Sequence, residues 1–279
     1  MNPRNFSTIT FPAFGIEVDP PRFVEIGPLT VYFYGIIIGL GLLLAVWYCC
    51  KRSSQFGLTE DNVLDGLILV LPIAVICARA YYCVFAWHEF ADNPISVLYI
   101  WNGGIAIYGG VLGAILGMWI FSKWKKLKLT AVLDLIMLGF LIGQAIGRWG
   151  NFMNREAFGA ETDSFLRMGL TNMYTGEITY FHPTFLYESL WNAVGFVILH
   201  FASKKRKYDG QVALWYAVWY GLGRTMIEGL RMDSLYWGPF RVSQCLAAIS
   251  CLAAVAVLIY NSLRKHDPKD MFVNKTAEG

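Results

Sequence analysis

Two short stretches place arginines, amides and acids at spacings that chemistry can use. Residues 147–159 read GRWGNFMNREAFG, which puts Arg148, Asn151, Asn154, Arg155 and Glu156 within nine positions of an apolar chain. Residues 221–231 read GLGRTMIEGLR, with Arg224, Glu228 and Arg231 at i, i+4 and i+7 on one helix face. A guanidinium is a planar fork that meets phosphate oxygens two at a time. An internal Arg–Glu pair would account for Glu228, but it leaves two arginines sharing one acid. Gly147 and Gly150 predict a tight break in the helix that turns the Asn151 and Asn154 amides inward. HPTFLYES at 182–189 adds His182, Tyr187 and Glu188. Recognition of a phosphate-bearing headgroup is the chemistry these residue types suggest.

The elements that must carry these residues are membrane spans. Of 279 residues, 56% are apolar and 15% charged, with a mean hydropathy of +0.45. A soluble domain carries about a quarter charged residues. Seven apolar stretches, roughly 29–50, 63–87, 104–122, 129–147, 183–202, 210–230 and 241–262, are each near the length a spanning helix needs. Period-2 alternation is absent, which argues against a β-barrel. The expected fold is all-α: one polytopic membrane domain over residues 1–279, with about seven transmembrane helices and a small outward-facing cap.

Basic residues set the orientation. Lys51 and Arg52 follow the first stretch, Lys123, Lys125, Lys126 and Lys128 the third, and Lys204, Lys205, Arg206 and Lys207 the fifth. Arg264, Lys265, Lys269 and Lys275 follow the seventh, so all eleven lysines fall on one side of a seven-span chain. That side is cytoplasmic by the positive-inside rule. The N-terminal segment 1–28 and the loops near 88–103, 148–182 and 231–240 then face outward, and the tail 263–279 is cytoplasmic. The first 28 residues lack the charged-then-apolar order of a cleavable signal peptide. Topology already explains the basic clusters, so the net charge of +3 does not call for a nucleic-acid partner.

Asp65, Arg79, Asp134, Arg148, Glu188, Arg224 and Glu228 lie in or at the margins of the spans. Each costs about 2.5–3.5 kcal/mol at mid-membrane on insertion scales, so partners or a wet cavity are required. Asp65 and Asp134 lie toward cytoplasmic ends, where pairing or capping is as good a reading as function. Arg79 is expected to pair structurally with a buried acid or to serve function. Gly35/Gly39 and Gly109/Gly113/Gly117 repeat at four-residue spacing, as in close helix packing. PISVLYIWNGG (94–104) is too short to span and is expected at the outer interface or as a re-entrant piece. The six cysteines lie in spans without metal or redox spacing and read as small hydrophobes. No metal or cofactor is implied: HEFAD (88–92) is not H-E-x-x-H.

GRWGNFMNREAFG resembles the motif of the prolipoprotein diacylglyceryl transferases, approximately G-R-x-G-N-F-x-N-x-E-x-x-G, at Gly147, Arg148, Gly150, Asn151, Phe152, Asn154, Glu156 and Gly159. VYFYG (31–35), ARAYY (78–82), NGGIAIYGG (102–110), HPTFLYE and GRTMIEGLR extend the resemblance over nearly the whole chain, in order. The resemblance implies a seven-span enzyme of the bacterial cytoplasmic membrane with its site toward the outer leaflet. Such an enzyme moves a diacylglyceryl group from phosphatidylglycerol to the lipobox cysteine thiol of a preprolipoprotein, leaving a thioether and glycerol phosphate. By matching position, Arg148 and Arg224 would hold the lipid phosphate. Asn151, Asn154, Glu156 and Gly159 would shape the same site, and Tyr34, Glu228 and Arg231 would lie near it. His182 joins the substrate-binding set from HPTFLYE. Many members have a histidine, suggested as the base, where this chain has Tyr108.

The chemistry suits these residues. Cations aimed at the charge growing on a departing phosphate are usually the largest catalytic term, and arginines near a thiol favour its thiolate. A phenol is a poor base at neutral pH, so Tyr108 is expected to donate a hydrogen bond, with Glu156 or water taking the proton. The rival reading is a transporter or channel, which predicts charges spread through the bilayer and broken helices related by a repeat. Here the charges gather toward one leaflet.

Overall fold

The computed structural model describes residues 5–232 and 236–277. Seven helices of 18 residues or more occur among them: α1 (Phe33–Arg52), α2 (Glu60–Phe85), α3 (Ile107–Trp124), α4 (Leu129–Asn154), α5 (Thr184–Ala202), α6 (Gln211–Glu228) and α7 (Val242–Ser262). A short α8 (Phe272–Ala277) follows. Six of the seven are long and apolar enough to cross a membrane. The seventh, α6, matches α3 at 18 residues, but Gln211, Arg224 and Glu228 dilute its apolar content. The polytopic helical architecture read from composition is therefore present. Packing divides the chain into two compact units, with the division falling inside α1 and α4.

One unit comprises Cys49–Leu135 and the segment from Lys269 onward. The capping box of Thr59 and Asn62 starts α2, and Glu60 and Asp61 in its first turn complement the helix dipole. Close packing of α2 on α3 depends on glycine. A Cβ on Gly113 would stand 2.5 Å from Cys77 Cβ and 2.9 Å from Ala74 Cα, and one on Gly117 would stand 3.2 Å from Val70 Cα. Gly35 and Gly39 of α1 meet nothing within 4 Å, so the same spacing marks no helix contact there. Arg79 is buried, and its partners are carbonyls rather than an acid. It donates to Ser96 O, Val97 O, Gly103 O and Gly104 O at 2.7–2.8 Å, and its guanidinium lies over Phe90. The guanidinium thereby satisfies the irregular 94–104 segment. Asp65 pairs with Lys125 at 2.6 Å, and Asp134 is fully buried.

The other unit holds the described residues up to Tyr48 together with Ile136–Pro268. It adds strands that the all-helical reading did not contain. β1 (Phe6–Phe11), β2 (Ile16–Val18), β5 (Met168–Asn172) and β6 (Ile178–Phe181) form an antiparallel sheet in the order β2-β1-β5-β6. Two hairpins, β3 (Phe23–Ile26) with β4 (Leu29–Tyr32) and β7 (Tyr236–Trp237) with β8 (Phe240–Arg241), lead directly into α1 and α7. The first apolar stretch thus begins as a strand and becomes helical at Phe33. The loop between α4 and α5 is too short to bury a core of its own. It borrows one: Phe6 and Ile9 of the N-terminal segment and Phe185 of α5 close around Phe158, Met168, Leu170 and Phe181.

Helices α5 and α6 are joined by two tryptophans. The indole N–H of Trp191 donates to Trp219 O (2.9 Å), and that of Trp219 donates to Trp191 O (3.0 Å). Their rings stack with centroids 4.5 Å apart. Gly195 lies beneath the Trp219 ring and Gly223 beneath the Trp191 ring, leaving no room for a Cβ. The exchange fixes the register of α5 against α6.

Candidate active site

At the C-terminal end of α4, the N-terminal end of α5 and the C-terminal end of α6, five charged side chains interlock. Glu188, in the second turn of α5, is their centre. Its carboxylate meets Arg148 Nη2 of α4 at 2.6 Å, Arg224 Nη1 of α6 at 3.3 Å and Arg231 Nη1 at 3.2 Å. Arg224 turns its other nitrogen to Glu228 at 2.6 Å, and Arg231 Nε lies 4.0 Å from the same carboxylate. The Glu228 side chain is 2% exposed and that of Glu188 6%, whereas Arg148 is 23% exposed and the most accessible of the five. Three guanidinium groups against two carboxylates carry a formal charge of +1. The acid missing from the sequence argument, in which two arginines shared Glu228, is Glu188.

Arg148 also connects to the amides. Its Nη1 donates to Asn151 Oδ1 (3.3 Å), Asn151 Nδ2 donates to Glu156 Oε1 (3.0 Å), and Asn154 Nδ2 donates to the same oxygen (3.4 Å). The expected helix break at Gly147 and Gly150 is not found. The α4 helix continues to Asn154 because Trp149 and Phe152 still have an apolar surface to cover, packing on each other and on Phe185. The glycines instead admit neighbours: a Cβ on Gly150 would stand 2.8 Å from the Tyr34 ring, and one on Gly147 3.1 Å from Ile38. Tyr34 of α1 is thereby seated against the helix that carries Arg148. The turn comes later, at Arg155 and Ala157, both left-handed with φ of 55° and 56°. It folds Glu156 back onto Asn151.

Gly159 is where two backbones pinch. Its N–H donates to His182 O (2.9 Å), it forms an antiparallel bridge with Arg231, and Ala160 N donates to Leu230 O (2.7 Å). A Cβ there would stand 2.7 Å from His182 Cβ and 2.9 Å from Leu230 O. Arg231 is therefore positioned by main-chain pairing as well as by its ion pairs. The His182 main chain forms one side of the pinch, and its ring meets Tyr187 Oη at 3.4 Å. Trp149 Nε1 donates to Ser189 Oγ (3.1 Å), which donates to Ala145 O (2.8 Å), locking α4 to α5 one residue from Glu188.

Of the residues nominated from sequence, Arg148, Asn151, Asn154, Glu156, Arg224, Glu228 and Arg231 form one connected network. Tyr34, Gly159 and His182 sit against its backbone. Tyr108 is the second residue of α3, in the other compact unit, immediately before Gly109 packs on α2. Glu188 is among the membrane charges for which the sequence demands a partner, and its role as hub emerges only from the helix arrangement.

The family model described as prolipoprotein diacylglyceryl transferase matches residues 21–260. The chain belongs to that family. Proteins named phosphatidylglycerol–prolipoprotein diacylglyceryl transferase are similar over most of their lengths. That of Listeria monocytogenes is 40% identical over 260 residues, covering 91% of this chain and 94% of its own. That of Shouchella clausii is 42% identical over 254 residues (88% and 92%), and that of Enterococcus faecalis 41% over 262 (90% and 92%). For a prolipoprotein diacylglyceryl transferase family member, the connected network coincides with the motif residues on which the sequence resemblance rested. Family and spans together make this a multi-pass protein of the bacterial cytoplasmic membrane.

Proposed function

We propose that this chain transfers the diacylglyceryl group of phosphatidylglycerol to the lipobox cysteine of a preprolipoprotein. A carbon–sulfur bond forms at the glycerol carbon, and the bond from that carbon to the phosphate oxygen breaks. Glycerol phosphate leaves with the electron pair, and the thiol proton is released. This is the first step of bacterial lipoprotein maturation. The observation that carries the reading is the cluster of three arginines and two glutamates in a chain of this family.

Its formal charge of +1 matches one phosphodiester. As the C–O bond breaks, the phosphate gains further negative charge, which fixed guanidinium groups stabilise without reorganising. Arg148, the most accessible, and Arg224 are assigned to the phosphate. Glu188 and Glu228 hold them, and Arg231 completes the cluster. Asn151 and Asn154 orient Glu156, which with water is assigned the thiol proton. The role of Tyr108 rests on its motif position alone.

The lysine distribution supports an outward N-terminus, a cytoplasmic C-terminus and a site toward the outer leaflet. On α5, Glu188 lies at the end opposite Lys204 and Lys205. The whole chain is read as one integral membrane domain. The test is reconstitution with phosphatidylglycerol and a lipobox peptide, followed by mass spectrometry. The expected result is a thioether-linked diacylglyceryl peptide and equimolar glycerol phosphate. Neither product forming would overturn the assignment.

A further inference from the structure

Residues 5–20 precede the stretch matched by the family model, yet they are built into the structure around the site. β1 is an inner strand of the sheet and buries Phe6 and Ile9. Beside the packing of Phe6 on Phe158, hydrogen bonds from the Arg155 side chain join this segment to the site turn. Arg155, 3% exposed, donates to Ser7 O, to the Asp19 carboxylate and to Pro20 O (2.9 Å), all in the N-terminal segment. It also donates to Met153 O (3.1 Å) in the last turn of α4. Its backbone φ of 55° lies in the left-handed region that favours glycine. The motif leaves this position open, and here a large side chain occupies it at a conformational cost.

We propose that Arg155 is a positioning residue that uses the N-terminal segment as an anchor for the turn carrying Glu156. Glu156 lies between two left-handed residues, and each is held from a different side. Thr184 Oγ1 of α5 donates to Ala157 O on one side, and Arg155 grips Ser7, Asp19 and Pro20 on the other. Glu156 in turn accepts from Asn151, which accepts from Arg148. Two hydrogen bonds therefore separate the anchored turn from the arginine assigned to phosphate. Burial pulls the Arg155 guanidinium below the usual arginine value, the Arg22 charge adds to this, and Asp19 opposes it. The inference rests on the transferase reading for its kinetic consequence, but not for its structural one.

Arg155→Gly is the decisive variant, because glycine accepts the left-handed turn without strain while the tie is removed. Turnover is measured in detergent micelles containing phosphatidylglycerol and a lipobox peptide, and amide exchange on the same protein. The expected result is a kcat lowered at least tenfold with KM for the lipid within twofold. Exchange accelerates at 151–158 and in β1, and protection in α6 and α7 is unchanged. Asp19→Asn, which keeps an acceptor oxygen, stays within twofold of the parent. Arg155→Lys reaches fewer acceptors and recovers part of the kcat; it carries both readouts if Arg155→Gly does not fold. A kcat for Arg155→Gly within twofold of the parent overturns the proposal. So does exchange that rises evenly across all the long helices, since Arg155 would then serve global stability alone. A parent without turnover would count against the transferase reading, and the local exchange result would still decide the anchoring.

Discussion

Glu188→Gln isolates the hub of the cluster. The substitution keeps shape and one acceptor oxygen but removes the charge on which Arg148, Arg224 and Arg231 converge at 2.6, 3.3 and 3.2 Å. A hydrogen bond to a charged group exceeds a neutral one by about 1 kcal/mol. Two of the three bonds hold the arginines assigned to phosphate, so about 2 kcal/mol of their positioning is lost. At 1.36 kcal/mol per tenfold, that is roughly a 30-fold fall in kcat. KM for phosphatidylglycerol falls or stays unchanged, because the cluster's formal charge rises from +1 to +2. Initial rates are measured against the mole fraction of phosphatidylglycerol in mixed micelles, with circular dichroism as the folding control. A folded Glu188→Gln enzyme with kcat within threefold of the parent refutes the hub. A raised KM with unchanged kcat refutes it as well, since that pattern belongs to uniform binding.

Arg148→Lys and Arg224→Lys each keep a positive charge but not the fork, and each should lower kcat by about 100-fold with the fold intact; near-normal turnover in either moves that arginine to a structural role. Gly159→Ala pushes a methyl to 2.7 Å from His182 Cβ and 2.9 Å from Leu230 O, and should destabilise by about 1–3 kcal/mol in a thermal melt. A melt equal to the parent's would mean the two backbones part easily. Tyr108→Phe should lose several-fold and Tyr108→His should keep partial or full activity, with the profile over roughly pH 6–9 little changed. A new activity limb in the histidine variant near the imidazole value of about 6.5 would show that the position acts as a base. In intact cells, a cysteine-free background carrying Thr171→Cys should react with an impermeant thiol reagent and one carrying Lys205→Cys should not. The reverse pattern overturns the proposed topology.

The helices were legible because membrane spans obey one constraint, sustained apolar length, and the sequence meets it almost throughout. The network was legible in part for the opposite reason: charge in such a chain needs an account, and Arg148, Arg224 and Glu228 stood out. Glu188 was harder to see, since its three partners come from α4, α6 and the residue three beyond Glu228, and no spacing within HPTFLYES reveals them. Glycine signals conformational freedom in a sequence, whereas here Gly150 makes room for the Tyr34 ring and the turn falls on Arg155 and Ala157. The small sheet was not anticipated because β1 pairs with β5 across more than 150 residues of sequence. Strands of three to six residues carry little periodic signal.

The weak hydropathy of α6 has a consequence for how the chain is made. Arg224 and Glu228 would each cost about 2.5–3.5 kcal/mol at the bilayer centre on insertion scales and less near the helix end where they lie, so α6 gains from a partner as it inserts. Synthesis delivers α5 first, already bearing Glu188 for Arg224 and Trp191 for Trp219. The two helices can then leave the translocon as a hairpin, with the ion pair formed and the indoles engaged before lipid surrounds them. The side chains assigned to phosphate recognition thus also favour insertion of α6 beside α5, where Glu188 and the paired indoles meet it.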